Sequence, residues 1–262
     1  MPTFDLETFY DGYPRVEEEF QAALEESLQP RGPEMMYELV AGLELMPGAS
    51  ALDVGCGEGD HTIELASRFG LDMLGIDPVA RHISLARMAR PGAGFELGRA
   101  EALPVEDHSV DLVWCKDVLV HVSDLDRAYA EFRRVLRPGG KALVYQMFGT
   151  PLLEEREAAW LWSTMGVVPS SADPRRTEEA VAAAGLTVEQ RIELGSEWGE
   201  YFEERRGMPG RKLLYAARLL RAPESYVAKW GQGNYDIMLG DCLWHIYRMI
   251  GKLSPRIYLL SA

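Results

Sequence analysis

The sequence is poor in cysteine and in basic residues, and it lacks repeats and long apolar runs. Its 262 residues include three cysteines, Cys56, Cys115 and Cys242, whose wide spacing argues against a disulfide or zinc framework. No apolar run approaches the length of a membrane span, and the first residues lack the basic and apolar regions of a signal peptide. We therefore expect a cytoplasmic protein with no membrane partner.

Acidic residues outnumber basic ones, 41 Asp and Glu against 27 Lys and Arg, for a net charge of −14. Such a field repels nucleic acid, whose binding depends on Lys and Arg contacts to phosphate. The histidines never pair with one another or with cysteine at metal-ligand spacing, so no metal site is expected. One local excess of arginine, between residues 205 and 221, has two interpretations: a solvated helix face balanced by glutamates, or a docking site for a carboxylate or phosphate.

The most informative segment is residues 51–62 (ALDVGCGEGDHT), an apolar strand followed by Gly55, Gly57 and Gly59 and then by a helical pattern. Three positions without a Cβ let the backbone lie against a ligand. A dinucleotide motif reads G-x-G-x-x-G, whereas the spacing here is G-x-G-x-G. Glu58 and Asp60 also put carboxylates at the helix start, where they oppose a phosphate. The loop therefore favours a cationic or zwitterionic nucleoside ligand without phosphate.

This segment resembles the first motif of the class I S-adenosylmethionine-dependent methyltransferases. Three further matches follow in order, in residues 71–78 (LDMLGIDP), in residues 99–104 (RAEALP), and in residues 110–121 continued by 136–144. The resemblance covers about Ala49 to Tyr145 and is weak outside that window. It implies S-adenosylmethionine as cofactor, S-adenosylhomocysteine as product, and a set of binding residues: Asp53, Gly55, Gly57, Gly59, Thr62, Asp77, Pro78, Glu101, Ala102, Cys115, Lys116 and Tyr10.

Within that set, the resemblance implies that Asp77 accepts both ribose hydroxyls. It also implies that the Glu101 side chain accepts from the adenine amino group, while the Ala102 N–H donates to a ring nitrogen. The backbone carbonyl of Cys115 is expected to accept from the methionine ammonium. Asp53 has two compatible interpretations: it lies near that ammonium, or it is a buried carboxylate that ties down the amides of the glycine loop.

Thr62 either bonds the cofactor carboxylate or bonds back onto its own helix. Tyr10, together with Phe9 and Tyr13, either closes over the cofactor, where aromatic faces attract a sulfonium, or anchors the N-terminal segment.

The candidate catalytic residues follow the fourth strand. Lys116 and Asp117 leave the sheet at its carboxyl edge, where open α/β sheets bind ligands, and Lys116 pairs either with Asp117 or with the cofactor carboxylate. His121 comes one helical turn after Asp117, and we expect it to act as general base or substrate orienter. The alternative is a histidine packed under the loop and bonded to backbone. His82 and His108 are assigned to the exposed surface.

Alternation of strand and helix patterns predicts an α/β fold. We expect a Rossmann-like, seven-stranded, mostly parallel sheet with an antiparallel last strand, helices on both faces, and helical insertions. Strands are predicted near residues 51–54, 72–76, 95–99, 110–115, 141–148, 187–194 and 256–260. Helices are predicted near residues 34–45, 60–69, 78–90, 124–136, 151–168, 178–184, 209–221 and 235–252, the last two joined by a turn at 230–235.

Four regions are expected. Residues 1–48 form a helical segment that closes over the cofactor site, 49–194 the core, 195–255 a helical insertion serving as cap or dimer interface, and 256–262 the last strand. Residues 237–250 are apolar nearly all round their helix, so that helix is buried or lies at a homodimer interface. Asp241, His245 and Arg248 share a face there, which either lines a substrate pocket or locks the cap.

The predicted function is methyl transfer from S-adenosylmethionine to a small aromatic or apolar acceptor, because tryptophan- and tyrosine-rich segments outside the core suit an apolar pocket. A non-catalytic or scaffold member of the fold is one alternative, and a nicotinamide-dependent oxidoreductase is another.

Overall fold

Strands and helices alternate through residues 5–262, the part of the chain that the computed structural model describes, with the side chains of Phe9 and Arg15 left out. The strands are β1 (Ser50–Val54), β2 (Asp72–Asp77), β3 (Gly94–Leu97), β4 (Val110–Lys116), β5 (Leu136–Gly149), β6 (Thr187–Glu193) and β7 (Leu253–Ser261). The helices are α1 (Leu6–Leu24), α2 (Glu34–Ala41), α3 (Asp60–Phe69), α4 (Ala80–Ala89), α5 (Leu125–Val135), α6 (Glu155–Met165), α7 (Pro174–Ala183), α8 (Glu197–Arg206), α9 (Met208–Arg221), α10 (Pro223–Trp230) and α11 (Gln232–Met249).

The seven strands form one sheet in the order β3-β2-β1-β4-β5-β7-β6. The first five strands pair in parallel, and β7 runs antiparallel between β5 and β6. The predicted fold class, including the antiparallel last strand, is therefore confirmed. The strand order reverses direction at β1, whose neighbours are β2 and β4. Such a switch point opens a crevice at the carboxyl ends of the strands, where ligands bind in sheets of this kind.

Both faces of the sheet are covered, because the central strands are apolar at successive positions. On one face, Val113 and Val144 pack in a core with Phe132 of α5 and Val181 of α7. On the other face, Trp114, Tyr145 and Leu65 of α3 share a core with residues of α2 and α8. Neighbouring residues of β4 and β5 thus point to opposite faces, as strand geometry requires.

The region between β6 and β7 differs from its prediction. It contains four helices rather than two, because α8 and α10 were not anticipated, and the expected turn at 230–235 is reduced to the neighbourhood of Gly231. The helices α9, α10 and α11 share a small core around Leu219, Tyr235 and Leu239. Trp244 of α11 also meets Trp162 of α6 edge-on, with ring centroids 6.0 Å apart.

Two boundaries also need correction. Strand β7 begins at Leu253, so the last strand takes three residues that we assigned to the insertion. Strand β5 begins at Leu136, where it pairs with Val110, rather than at the predicted residue 141. A register shift between Val110 and Leu112 accommodates the Pro-Gly-Gly segment inside the strand.

In the N-terminal region, α1 ends at Leu24, and α2 begins at Glu34 after a link that contains Pro30 and Pro33. Arg31 pairs with Glu197 of α8, and Ser27 Oγ donates to Glu204, so the link between α1 and α2 contacts the insertion. Within residues 5–262, no helix combines the length and the apolar character needed to cross a bilayer.

Candidate cofactor-binding and active site

A cavity of about 410 Å³ lies at the carboxyl ends of β1, β2 and β4, at the switch point of the sheet. Eight of the predicted site residues line it: Gly55, Gly57, Asp77, Pro78, Glu101, Lys116, Asp117 and His121. Further lining comes from residues that the sequence did not single out: Val54, Ile76, Val79, His82, Gly98, Arg99, Ala100, Val118 and Val122. The chain therefore brings segments up to about seventy residues apart to one crevice.

The glycine loop after β1 is held by its own backbone amides. The N–H groups of Gly55 and Cys56 both donate to the carbonyl of Ile76, at 2.7 and 3.0 Å. The Gly57 N–H donates to Asp77 Oδ2 at 3.0 Å, and the Gly59 N–H donates to the Cys56 carbonyl at 2.9 Å. Since these four amides already have protein acceptors, they do not form the cradle of free N–H groups that a pyrophosphate requires.

The loop glycines serve different purposes. A Cβ on Gly55 would lie 2.1 Å from a methyl group of Val118, so this position must be glycine for the loop to pack against the segment after β4. A Cβ on Gly57 would meet nothing within 4 Å, and its backbone has φ +55°. Because Gly57 lines the cavity, a side chain there would occupy space that a ligand needs.

Asp77 ends β2 with both carboxylate oxygens directed at the loop and cavity. Its side chain is buried, Oδ2 accepts from Gly57, and Oδ1 accepts from the Val79 N–H at 2.8 Å. His82 Nδ1 also lies 3.1 Å from Oδ1. The prediction that His82 lies on an exposed helix face is wrong, because His82 is half-buried and lines the cavity. Helix α4 begins only three residues after Asp77, which brings His82 back to that carboxylate. A carboxylate has about four acceptor sites, so Asp77 retains capacity for a ligand hydroxyl.

Asp53 and Thr62 form a buried pair behind the loop. Thr62 Oγ1 donates to Asp53 Oδ2 at 2.6 Å rather than to a carbonyl of its own helix, and its contact with the cofactor carboxylate stays a prediction. Burial raises the pKa of Asp53 to about 6, although Thr62 and the nearby Lys116 oppose the rise. A buried carboxylate with a raised pKa is stabilised by any cation brought close to it. The amides of the glycine loop are tied down by Asp77 and Ile76, not by Asp53.

The adenine-binding turn predicted at residues 99–104 is a closed backbone turn. The Ala102 N–H donates to the Arg99 carbonyl at 3.1 Å, so a donor role for Ala102 toward a ligand requires that turn to open. Arg134 supports the turn from α5 by donating to the Leu103 carbonyl at 3.0 Å. The Glu101 side chain belongs to the cavity lining, and its carbonyl accepts from Arg127 Nε.

Lys116 and Asp117 lie where β4 ends. Lys116 Nζ is 3.4 Å from Asp117 Oδ2 and 5.5 Å from the centre of the Tyr145 ring. Asp117 adopts φ +59°, a left-handed conformation that is strained for a residue with a side chain. The Asp117 side chain keeps part of its surface open to the cavity, but the walls limit its hydration, and this raises the pKa of the carboxyl group against the influence of Lys116.

His121 is bonded to backbone, as one of its two interpretations has it, but it is exposed rather than packed under the loop, and its role as base or orienter stays a prediction. It ends a 3-10 turn, Leu119–His121, rather than an α-helical turn, and its Nδ1 lies 2.8 Å from the carbonyl oxygen of Gly166. In a neutral imidazole that contact requires the proton on Nδ1, which leaves Nε2 as an unprotonated acceptor. His121 also lines the cavity, so the bond to Gly166 orients the ring without removing it from the site.

A cluster missed at the sequence level lies behind the cavity. The Tyr37 hydroxyl is hydrogen-bonded to His61 Nδ1 at 2.6 Å, and both rings pack on Trp114. Burial lowers the pKa of His61 to about 4, and burial raises the pKa of Tyr37 to about 12, so both groups are neutral at physiological pH. The only sequence signal was His61 two residues after Gly59, because Tyr37 lies on a helix far away in the chain.

The remaining predicted residues lie outside the cavity lining. Gly59 caps the start of α3, and Cys115 is fully buried in β4, where burial raises the pKa of its thiol. Tyr10 lies on α1 with 68% of its surface exposed, so closing over a ligand would require α1 to move. A larger cavity of about 580 Å³ lies beside α2 and α8, on residues such as Glu38, Leu39 and Tyr201, and its lining includes none of the predicted site residues.

A family model described as a methyltransferase domain matches residues 52–144 of the chain, which run from β1 to β5. Malonyl-[acyl-carrier protein] O-methyltransferase of Methylococcus capsulatus is 34% identical over 184 residues, which are 68% of this chain and 62% of that protein. Phosphoethanolamine N-methyltransferase 3 of Arabidopsis thaliana is 32% identical over 124 residues, 46% of this chain and 25% of that protein. This chain therefore spans less than two thirds of either relative.

Among solved structures, geranyl diphosphate C-methyltransferase from Streptomyces coelicolor superposes on this chain. The TM-score is 0.63 for its complex with Mg²⁺, geranyl diphosphate and S-adenosyl-L-homocysteine, and 0.62 for a second complex. The superposition covers 87% of this chain and 78% of that one, at 18% sequence identity. At that identity the likeness concerns the fold, which agrees with the strand order of the sheet.

Proposed function

The chain belongs to the class I S-adenosylmethionine-dependent methyltransferases, and from that premise we propose that it transfers the cofactor's methyl group to a small-molecule acceptor in the switch-point cavity. The observation that carries the proposal is the state of the glycine loop: its amides are bonded within the protein, while Gly57 faces open space. That combination suits a nucleoside without phosphate. It disfavours the nicotinamide alternative, whose pyrophosphate needs free amides.

The cavity's charges also fit a sulfonium amino acid nucleoside. Asp77 offers carboxylate oxygens to ribose hydroxyls, and buried Asp53 is stabilised by an ammonium group nearby. Gly57 leaves room for the nucleoside, and Glu101 belongs to the cavity lining. When bound, S-adenosylmethionine supplies an activated methyl group, so the protein need only align the acceptor and exclude water, which is worth about 7–11 kcal/mol.

We assign His121 the role of base for acceptors that must lose a proton. Its Nδ1–H is fixed by the Gly166 carbonyl, and Nε2 is available to take the proton as the new bond to the acceptor forms. An acceptor without such a proton needs only positioning. The named relatives act on a malonyl group, on phosphoethanolamine and on geranyl diphosphate, which spans oxygen, nitrogen and carbon acceptors.

A homodimer remains part of the proposal for the insertion. Leu213 and Leu214 of α9 and Ile237 and Met238 of α11 are exposed, with 46–56% of their surfaces accessible. Light scattering of the purified chain distinguishes a dimer from a monomer directly.

Calorimetric titration of the purified protein with S-adenosylhomocysteine tests the central proposal, with NADH as the matched rival ligand. We expect saturable binding of S-adenosylhomocysteine and none of NADH. Binding of NADH alone would favour the oxidoreductase alternative, and binding of neither would contradict the site assignment. A non-catalytic scaffold would bind S-adenosylhomocysteine yet transfer no methyl group to any acceptor in a screen that uses labelled S-adenosylmethionine.

A further inference from the structure

Arg248 is a buried cation without a full set of partners. The residue, on the last turn of α11, has only 6% of its surface exposed. Its Nε and Nη2 atoms have no hydrogen-bond acceptor anywhere in residues 5–262. Burying a charge in this way is costly unless it is paired, because the lost hydration is not replaced. An anion bound to Arg248 would supply the missing acceptors.

Other buried polar atoms on α8 and α11 also lack hydrogen-bond partners. Trp198 of α8 stacks on Tyr145 with ring centroids 4.5 Å apart, and its Nε1 has no acceptor among the described residues. His245, one turn before Arg248, likewise has an unpartnered Nδ1. Burial raises the pKa of the Tyr145 phenol, and Arg248 opposes that rise through its charge and through a side-chain hydrogen bond to the phenol. A Cβ added to Gly199 of α8 would lie 3.8 Å from Arg248 Nε, so α8 and α11 pack closely at this arginine.

The charges near Arg248 leave a positive surplus. Burial raises the pKa of Asp117, and the charge of Arg248 is one of the influences that oppose this rise. Asp117 pairs with Lys116 at 3.4 Å and makes no hydrogen bond to Arg248. Burial lowers the pKa of His245, so its ring is neutral at physiological pH and adds no charge. Two cations, Lys116 and Arg248, thus share one carboxylate, and that carboxylate lines the cavity.

We propose that Arg248 binds an oxyanion of the acceptor molecule, a carboxylate or a phosphate, and so orients the acceptor against the Asp117–His121 side of the cavity. This inference rests on the proposed function, since it names the chemical class of that reaction's acceptor. Guanidinium geometry matches both oxyanions through two parallel N–H donors, and Nε with Nη2 is such a pair. The arginines between residues 205 and 221 are not part of this site.

The cofactor's own carboxylate is the competing ligand for Arg248. Lys116 is the cation that lowers the pKa of Asp53, the residue assigned to the methionine ammonium, whereas Arg248 exerts its influence on Asp117 and Tyr145. We assign the methionine end of the cofactor to Lys116, which lines the cavity, and Arg248 to the acceptor.

Thermal unfolding of the full chain tests the proposal, with and without S-adenosylhomocysteine, in sodium phosphate, sodium malonate, or sodium chloride of equal ionic strength. The variants are Arg248→Met and Arg248→Lys, and Arg221→Met, at an exposed position of α9, is the matched control. We expect phosphate or malonate to raise the Tm of the wild type and of Arg221→Met by about 2–4 °C above chloride. Arg248→Met should show no such rise, and Arg248→Lys a reduced one, since it keeps the charge without the fork.

The same melts distinguish a binding role from a structural one. In chloride, Arg248→Met should melt about 2–4 °C above the wild type, because it removes an unpaired buried charge. A lower Tm in chloride would mean that Arg248 is structural and would overturn the proposal, as would an equal phosphate or malonate effect in wild type and Arg248→Met.

Calorimetry with S-adenosylhomocysteine separates this proposal from the proposed function. We expect the same affinity in wild type and in Arg248→Met, and a tenfold loss in the variant would reassign Arg248 to the cofactor. If the wild type failed to bind S-adenosylhomocysteine, the proposed function would fail. The thermal unfolding measurements in phosphate, malonate and chloride would still decide the role of Arg248. A response to phosphate alone identifies a phosphorylated acceptor, and a response to malonate alone identifies a carboxylic acid.

Discussion

The two walls of the cavity treat their polar groups in different ways. On the wall formed after β1 and β2, each carboxylate is bonded within the protein: Asp53 to Thr62, and Asp77 to Gly57 and Val79. On the wall formed after β4, Asp117 adopts a strained backbone conformation, and Nε and Nη2 of the buried Arg248 on α11, whose charge acts on Asp117, lack acceptors. The first wall is built before any ligand arrives, whereas the second has hydrogen-bonding capacity that only a ligand can use.

This difference agrees with a division between a constant ligand and a variable one. A cofactor wall can be preorganised, because its ligand never changes and fixed dipoles bind it at little cost. A wall for the acceptor carries specificity, and unpaired groups there reject molecules that lack the matching charge. The predictions below test the contrast between the two walls.

The largest effect is expected from Gly57→Val on the cofactor wall. The new side chain points into open space of the cavity, so the fold should survive while affinity for S-adenosylhomocysteine falls by at least about 100-fold, the equivalent of about 3 kcal/mol. Calorimetry measures the affinity. Gly185→Val is the matched control, because Gly185 also has a positive φ, +72°, and open space around its missing Cβ. Wild-type affinity in Gly57→Val would refute the loop assignment.

On the acceptor wall, His121→Ala should lower turnover by roughly 100-fold or more if the acceptor loses a proton, because general bases contribute at least that factor. Affinity for S-adenosylhomocysteine should stay near the wild-type value. His108→Ala is a close control, since His108 Nδ1 also contacts a backbone carbonyl, that of Leu136 at 2.9 Å, away from the cavity. Unchanged turnover in His121→Ala would restrict His121 to a structural role.

Asp53→Asn separates stability from binding on the cofactor wall. Asp53 has a folded-state pKa of about 6, above its ordinary value of 3.8, so the stability it contributes is present below about pH 4 and is lost as the pH rises through 6. The loss at neutral pH is at most about 3 kcal/mol. In urea unfolding from pH 4 to 8, the free energy of unfolding of the wild type should fall by this amount relative to that of Asp53→Asn. Asp53→Asn should also bind S-adenosylhomocysteine more weakly than the wild type does.

Parallel stability curves for wild type and Asp53→Asn would show that the Asp53 carboxyl group keeps its ordinary pKa in the folded protein. In that case its partner Thr62, whose hydroxyl lies 2.6 Å from Oδ2, would compensate fully for the lost hydration.

A smaller effect is expected from Asp77→Ala. Removing the carboxylate should weaken S-adenosylhomocysteine binding by about 1–3 kcal/mol, the usual cost of losing a charged hydrogen-bonding group. Asp111→Ala is the control, because the Asp111 carboxylate accepts from the Ser50 N–H at 2.9 Å at the opposite end of β1. Equal affinities in Asp77→Ala and Asp111→Ala would show that Asp77 only anchors the loop.

The contrast between the walls also explains which site residues the sequence could predict. Gly57, Asp77 and Glu101 lie in short motifs that end consecutive strands, and parallel strands bring their carboxyl ends to one edge. The cavity indeed contains all three. Arg248 shared a helix face with Asp241 and His245 in the sequence pattern, but its position beside Tyr145 and Trp198 was not readable, because it depends on how α8 and α11 pack.

By itself, the sequence determined the alternation of strands and helices, the glycine spacing and the acidic residues at the strand ends, because these depend on backbone conformation and local hydrogen bonding. Only the tertiary structure decided that Asp77 rather than Asp53 holds the loop amides, that Thr62 bonds Asp53, and that His121 is oriented by Gly166. It also decided which buried groups lack partners. Those outcomes follow from contacts between residues distant in the chain, whose distances no local pattern encodes.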